Sequence, residues 1–328
     1  MKTKIRIGIC GYGNLGCGVE SEIGKSPDME LTAVFTRRKP ASTLKIKSNV
    51  PVIHTDDAEL WKDKIDVLIL CGGSATDLPE QGPVFSRMFN TVDSFDTHAK
   101  IPEYLAGVDA SARAGGNLSI VSIGWDPGLF SLLRLYTESV LPEGRTYTFW
   151  GKGVSQGHSD AVRRIEGVLD AIQYTVPKDS ALEKIRASDA TELSTREKHE
   201  RVCYVVAKDG ADKARIERQI KQMPNYFDEY DTFVHFISAD EMEKNHRKLP
   251  HGGKVIRMGR TGDGNRHALE FAIKLDSNPE FTASVLLAYA RAAYRLSQKG
   301  ETGAKTIYDI PPVLLFPGEP DEAIKKLL

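Results

Sequence analysis

Two kinds of residue cluster in this chain at spacings that can do chemistry: glycines that open the backbone to a phosphate, and cations placed to grip one. Gly11-Tyr12-Gly13-Asn14-Leu15-Gly16 follows a β-branched run, Ile5 to Cys10, and opens an amphipathic stretch. Between a strand and a helix, such a GxGxxG run reads as a dinucleotide-binding fingerprint. Gly11 permits the tight turn, Gly13 lets a pyrophosphate approach the backbone, and Gly16 lets the helix pack closely on the strand. The helix N-terminus adds free N–H groups and a partial positive charge. After the second apolar run an NAD enzyme usually carries an acid for the ribose 2′-hydroxyl. Here Thr36, Arg37 and Arg38 stand in that place. A hydroxyl and two guanidiniums suit a 2′-phosphate, so NADP is the expected cofactor. A second glycine turn, Cys71-Gly72-Gly73-Ser74, would skirt the same ligand beyond a strand's carboxyl end.

Loops of this kind need parallel strands to carry them. The short apolar runs Ile5 to Cys10, Leu31 to Phe35, Val67 to Cys71, Thr91 to Ser94 and Leu118 to Ser122 have the composition of buried parallel strands. Helical patterns lie between several of them, at Glu80 to Phe89 and Ile101 to Ala114, which makes a βαβ series. Beyond Gly124 the texture changes. Longer strands are expected at Arg145 to Trp150, Arg201 to Ala207 and Tyr230 to Ile237, with helices at Ser159 to Tyr174, Ala211 to Gln222 and Phe281 to Leu296. The expected fold is therefore α/β: a Rossmann-type dinucleotide-binding domain over residues 1–122, then a mixed α+β domain over 123–300. The tail from about residue 300 to 328 has room to pack back on the first domain.

Composition narrows the class. At 328 residues and 41% hydrophobic the chain can fill two cores. Lys+Arg 44 against Asp+Glu 45 gives a formal charge of -1, which argues against nucleic acid or an anionic membrane as partner. No stretch approaches the roughly 18 apolar residues of a membrane span. Cys10, Cys17, Cys71 and Cys203 show neither CxxC spacing nor a histidine cluster, so no metal site and no disulfide framework is expected. A reducing cytoplasm fits this cysteine usage.

Several stretches resemble the meso-diaminopimelate D-dehydrogenase family. They are the glycine run Gly11 to Gly16, Phe35-Thr36-Arg37-Arg38, Gly73-Ser74-Ala75-Thr76-Asp77, Gly124-Trp125-Asp126-Pro127-Gly128 and Phe149-Trp150-Gly151. Further along come Ser155-Gln156-Gly157-His158-Ser159-Asp160, Pro250-His251-Gly252-Gly253 and Asn278-Pro279-Glu280-Phe281-Thr282-Ala283-Ser284. The glycine run is shared by many families. The Ser-Gln-Gly-His-Ser-Asp and Gly-Trp-Asp-Pro-Gly runs are far more particular, and together the matches span nearly the whole chain.

The resemblance implies NADP-dependent oxidative deamination of the D-centre of meso-2,6-diaminopimelate to L-2-amino-6-oxopimelate (tetrahydrodipicolinate), ammonia and NADPH, a reversible step of lysine biosynthesis. It also implies a cytoplasmic homodimer formed through the second, substrate-binding domain. Carried over by position, the cofactor loops are Tyr12 to Leu15, Thr36 to Arg38, Cys71 to Ser74, the run Ser94, Phe95 and Asp96, and the run Ile123, Gly124, Trp125, Asp126 and Pro127. Asp96 and Asp126 fall where the family surrounds the reacting D-amino group. Trp150, Gln156 and Gly157 fall around the D-centre and its carboxylate, with Asp160 in the same run. Thr175, Arg201, His251 and Asn278 fall on the groups that hold the distant L-centre.

These residue types suit the chemistry. A carboxylate beside the amine can hold the ammonium, take its proton or stabilise an iminium, which leaves Asp96 and Asp126 as the catalytic candidates without choosing between them. Asp126 before Pro127 also suits a plain turn. Arg201 offers a planar fork to a carboxylate, and Thr175, His251 and Asn278 add hydrogen bonds. Two alternatives share the glycine run: another two-domain NADP oxidoreductase acting on homoserine or a sugar, and a non-catalytic NADPH sensor.

Overall fold

A computed structural model of the chain describes residues 4–187 and 192–328. In chain order its strands are β1 (Ile5–Cys10), β2 (Met29–Thr36), β3 (Val52–His54), β4 (Val67–Leu70), β5 (Thr91–Asp93), β6 (Leu118–Ile120), β7 (Gly144–Trp150), β8 (Gly153–Val154), β9 (Val168–Pro177), β10 (His199–Ala207), β11 (Asp231–Phe236), β12 (His251–Thr261), β13 (Asn265–Leu275) and β14 (Gly303–Lys305). They divide between two compact units, one holding residues up to Leu132 together with Pro279–Leu328, the other Leu133–Asn278.

The first unit is built on a seven-stranded sheet in the order β14-β6-β5-β4-β1-β2-β3, and the paired strands run parallel. Its strands are apolar at almost every position because both faces are covered. Successive residues point to opposite faces. Ile7, Ile9, Val67, Ile69 and Val92 therefore enter one core, with Val19 and Ile23 of helix Asn14–Ile23. Phe35, Leu68 and Leu70 enter the other, with Leu78 and Phe85 of helix Leu78–Ser86 and Tyr104 and Val108 of helix Ile101–Gly115. The strand order reverses between β1 and β4, the point at which a doubly wound sheet opens a crevice at its carboxyl ends.

The second unit carries a four-stranded sheet, β11-β10-β9-β8, and a three-stranded antiparallel one, β13-β12-β7. The chain leaves the smaller sheet at Trp150 and enters the larger at Gly153. Helices Gln156–Arg163 and Lys213–Lys221 cover one face of the larger sheet through Val162, Ile216 and Ile220 against Ala171, Cys203 and Val205.

Three expectations change. The helix expected over Ser159 to Tyr174 is a helix only to Arg163; Gly167, at φ +92°, turns the chain and β9 begins at Val168. That strand is buried over most of its length, so its apolar residues do not alternate and mimic a helical face. The division expected after residue 122 falls at Leu132. The one expected near residue 300 falls at Asn278, and helix Asn278–Ser297 enters the first core through Ala283, Leu286, Tyr289 and Ala290. Arg291 on this helix, nearly buried, binds Asp28 through two hydrogen bonds of 2.5 and 2.8 Å, which ties the returning chain to the start of the sheet. The Gly303–Lys305 strand of the tail does pair with β6.

The glycine turn supplies a paired test of this packing. A methyl on Gly16 would overlap the Gly11 carbonyl oxygen, whereas a methyl on Gly13 would meet nothing within 4 Å. Gly16→Ala should destabilise the folded chain by about 1–3 kcal/mol in denaturant unfolding, and Gly13→Ala by well under that.

Candidate active site

At the carboxyl end of β1 the chain turns through Gly11, whose φ of +94° favours glycine. The turn is pinned from both neighbouring strands: Gly11 N donates to Phe35 O at 3.0 Å and Cys71 N donates to Cys10 O at 2.7 Å. Gly13 precedes helix Asn14–Ile23 with no side-chain cap, so the first N–H groups of that helix are open to a ligand. Tyr12 lies beside this turn and its hydroxyl is bonded to Glu20, a nearly buried carboxylate that also accepts from Lys47 N and Ser48 N. Burial and the Glu20 bond push the Tyr12 phenol above its usual range.

Two further loops are tied together beside it. Thr36 is buried and its hydroxyl accepts from Arg38 N at 3.2 Å, while Arg37 and Arg38 are exposed. Arg37 pairs with Asp77 at 2.9 Å, and Asp77 also accepts from Gly73 N at 2.9 Å. Ser74 in turn accepts from Asp96 N at 2.8 Å. The runs at 36–38, 71–74 and 94–96 thus form one connected rim.

The loops after β5 and β6 meet at Asp93, a residue that pattern reading passed over. Its carboxylate is fully buried and accepts from Phe95 N at 2.9 Å, Ser122 N at 3.0 Å and the Tyr104 hydroxyl at 2.8 Å. Its carbonyl accepts from Ile123 N at 2.8 Å. Burial pushes this carboxyl up to about 6. From Ile123 the chain runs through Gly124, Trp125, Asp126 and Pro127 to Gly128, where φ is +125° and a methyl would overlap the Gly124 carbonyl oxygen. Asp96 is exposed, and Asp126 is half-buried between the buried Trp125 and Pro127.

In the second unit Trp150, Thr175, Arg201, His251 and Asn278 come together. Arg201 on β10 stands opposite Thr175 on β9 and donates to its hydroxyl, and Thr175 pairs also with Gly153 on β8. Trp150 pairs with Gly253 two residues after His251, and a methyl on Gly153 would meet the His251 ring. Asn278 N donates to Leu249 O at 3.0 Å, close to His251 in the chain. Gln156 and Gly157 are exposed at the start of helix Gln156–Arg163. Asp160 is not brought into this group: it is exposed on the same helix and pairs with Arg163.

Arg201 is only 7% exposed, yet among the described residues no carboxylate pairs with it. Its guanidinium lies 3.8 Å from the centre of the Tyr230 ring, its Nε is buried without a hydrogen-bond partner, and burial lowers its pKa. Two histidines nearby remain neutral. His199, buried, accepts from Trp150 N at 2.9 Å and stacks on the Trp150 ring; burial, then Arg201 and Lys198, hold it down at about 4. His158 bonds Ser155 at 2.7 Å and is held at about 4 by burial and then Arg201. His199 stands two positions before Arg201 on one strand, an alternation that could have marked it from the sequence. Among the described residues no group of three or more His, Cys, Asp or Glu could hold a metal ion.

A parallel sheet whose glycine turn opens on a bare helix N-terminus, in a chain whose second unit buries a guanidinium with no counter-charge among the described residues, defines the class: a two-domain, dinucleotide-dependent dehydrogenase. The diaminopimelic acid dehydrogenase C-terminal domain family matches residues 124–277. Over 326 residues the chain is 63% identical to the meso-diaminopimelate D-dehydrogenase of Ureibacillus thermosphaericus, covering 99% of this chain and 100% of that one. The Corynebacterium glutamicum enzyme is 48% identical over 324 residues, 99% of each. A structure of the C. glutamicum dehydrogenase in complex with DAP superposes with a TM-score of 0.91 at 47% identity, covering 99% of this chain and 100% of that one. An engineered D-amino acid dehydrogenase bound to NADP+ superposes with a TM-score of 0.86 at 45% identity over the same shares. The chain belongs to the meso-diaminopimelate D-dehydrogenase family, which sets aside the homoserine- and sugar-dehydrogenase alternatives and the non-catalytic sensor.

The two neutral histidines set a pH dependence. Their folded pKa values lie below the ordinary 6.5, so the unfolded chain binds more protons between about 6.5 and 4. Stability contributed by the neutral rings is present above pH 6.5 and is lost as pH falls through this window, on the order of 2–3 kcal/mol for each. Asp93 titrates in the opposite sense between about 4 and 6 and offsets part of the loss. Unfolding free energy measured at pH 7.5, 6.5 and 5.5 should fall, and His199→Gln should flatten the slope.

Proposed function

We propose that this chain oxidises the D-centre of meso-2,6-diaminopimelate with NADP, releasing ammonia and L-2-amino-6-oxopimelate (tetrahydrodipicolinate) in a reversible step of lysine biosynthesis. The observation that carries the substrate is Arg201: a buried guanidinium with no carboxylate paired to it among the described residues leaves a binding capacity that a substrate carboxylate completes. A six-fold variant of the Clostridium tetani enzyme, whose structure with DAP superposes with a TM-score of 0.92 at 54% identity over 99% of this chain, was changed at Gln, Thr, Arg, Pro, His and Asn. The same types recur here, in the same order and at the same spacings, as Gln156, Thr175, Arg201, Pro250, His251 and Asn278.

The residues fit NADP. Gly13 leaves open space beside an uncapped helix N-terminus for the pyrophosphate, and Thr36, Arg37 and Arg38 stand where a 2′-phosphate would lie, with no acid among them. When bound, the dinucleotide supplies the hydride acceptor for the substrate Cα. Asp96 or Asp126 holds the D-ammonium, takes its proton and stabilises the iminium that water then opens. Trp150, its backbone fixed by His199, walls the D-centre with Gln156 and Gly157. Arg201, Thr175, His251 and Asn278 hold the L-centre. The substrate's ends are mirror images, so only fixed contacts at the end that does not react can present the D-centre hydrogen for removal.

We also propose a cytoplasmic homodimer that uses the second unit. Family membership supports the dimer, and the four free cysteines fit a reducing compartment.

Comparison of meso-, LL- and DD-diaminopimelate with NADP and with NAD tests the reading: NADPH should form fast only with the meso isomer, and equal rates with LL- or with NAD would overturn it. The pocket assignment has its own test, because simple D-amino acids leave Arg201 unpaired and should be poor substrates. Arg201→Met with His251→Asn should lower meso-diaminopimelate kcat/KM by orders of magnitude while D-leucine turnover holds level or rises. Loss of both in the same proportion would show that these residues serve the fold.

A further inference from the structure

The ladder between β5 and β6 ends early. Thr91 pairs with Ser119 and Val92 with Ile120, and beyond that the two chains diverge into the loops that carry Asp96 and Asp126. Where the backbone ladder stops, one side chain takes over. Asp93 Oδ1 accepts from Phe95 N at 2.9 Å, inside the first loop, and from Ser122 N at 3.0 Å, inside the second. The carbonyl of the same residue accepts from Ile123 N at 2.8 Å. Its other oxygen, Oδ2, is filled by the Tyr104 hydroxyl at 2.8 Å, and the Tyr104 ring stacks on Phe95 with centroids 4.1 Å apart.

The arrangement is an expensive way to join two strands. Asp93 has no exposed surface and, among the described residues, no cationic partner; its neighbours are neutral donors. Ser122 is held at φ +59°, a left-handed conformation that costs a serine roughly 1 kcal/mol or more. A plain stabilising contact would need neither a buried carboxylate nor a strained partner. Both become intelligible if the separation of the two loops must be held to within a fraction of an ångström, as reacting groups require.

We infer that Asp93 is a positioning residue of the reaction: by bridging Phe95 N and Ser122 N it fixes the loop bearing Asp96 against the loop bearing Asp126. The inference deepens the proposed function and rests on its placing Asp96 and Asp126 at the reacting amine. Asp93 touches neither substrate nor cofactor in this role. It acts only through the two loops.

The full-length enzyme carrying Asp93→Ala, Asp93→Asn, Asp96→Asn, Asp126→Asn and the pairwise combinations with Asp93→Ala supplies the test, with kcat and KM for meso-diaminopimelate read at saturating NADP. Asp93→Ala removes the bridge and should lower kcat at least about 30-fold while KM moves less than about threefold, since the contacts to the L-centre are untouched. Asp93→Asn keeps one oxygen that can accept both N–H groups, so its kcat should recover to within about threefold of the unaltered enzyme. If Asp93 works through Asp96 and Asp126, adding Asp93→Ala to whichever of those variants is impaired should cost no more than about threefold beyond the worse single change. Should alanine at 93 prevent folding, Asp93→Ser, too short to bridge both N–H groups, is judged by the same criteria. A folded Asp93→Ala or Asp93→Ser enzyme with undiminished kcat, or losses that multiply in full with those at both carboxylates, overturns the positioning role while leaving the reacting-end assignment intact. Undiminished kcat in both Asp96→Asn and Asp126→Asn removes that assignment and this inference with it.

Discussion

A charged group below the surface with no opposite charge beside it costs several kcal/mol, and each unit of this chain holds an example among its described residues. In the first unit it is Asp93, met by three neutral donors. In the second it is Arg201, met by a hydroxyl and the face of a ring. Much of the surrounding structure follows from accommodating them. The β5 and β6 loops fold onto Asp93, and Tyr104 is drawn to it from helix Ile101–Gly115. Around Arg201 the imidazoles of His158 and His199 are kept neutral, partly by the guanidinium itself, because a second cation there would add to a charge already unpaired. Neutral His199 is then free to accept the Trp150 N–H.

The glycine turn works by a complementary rule, the removal of atoms. Gly16 has to lack a side chain because the Gly11 carbonyl occupies the space, and this closeness of helix to strand aims the helix N-terminus past the end of β1. Gly13 lacks a side chain where no protein atom would oppose one, so its bareness serves something outside the chain. The two glycines have the same residue type and nearly the same neighbourhood, yet only the first is explained by packing. That contrast is a stronger indication of a ligand than the motif alone.

What could be read from the sequence depended on range. Buried parallel strands carry continuous β-branched runs, so β1, β2, β4, β5 and β6 were visible, and the turn after β1 was marked by glycines whose spacing has one common use. Strand β9 was hidden because burial over most of its length erased the alternation that marks a strand, although Gly167 signalled the break. Hairpin β12–β13 was missed although Thr261-Gly262-Asp263-Gly264 between its strands is a turn signal in its own right. The return of helix Asn278–Ser297 to the first core depends on partners more than 250 residues away, such as Asp28 for Arg291, and no local pattern encodes that. Asp93 was passed over for a related reason: a lone aspartate at a strand end resembles any loop cap until its three donors are seen to come from two loops and a helix.

The two buried charges also differ in what they ask of the chain, and that difference bears on specificity. Asp93 is fully supplied with hydrogen bonds by the protein, so its cost is met within the fold and nothing outside is needed to complete it. Arg201 is not: its Nε stays unpartnered and, among the described residues, no carboxylate neutralises it. A molecule that brings a carboxylate to it recovers an interaction the protein withholds, whereas one that buries it without a carboxylate leaves the penalty in place. Discrimination by such a group is larger than a shape-matched apolar wall could give, because the wrong ligand loses both the favourable contact and the solvent it displaces.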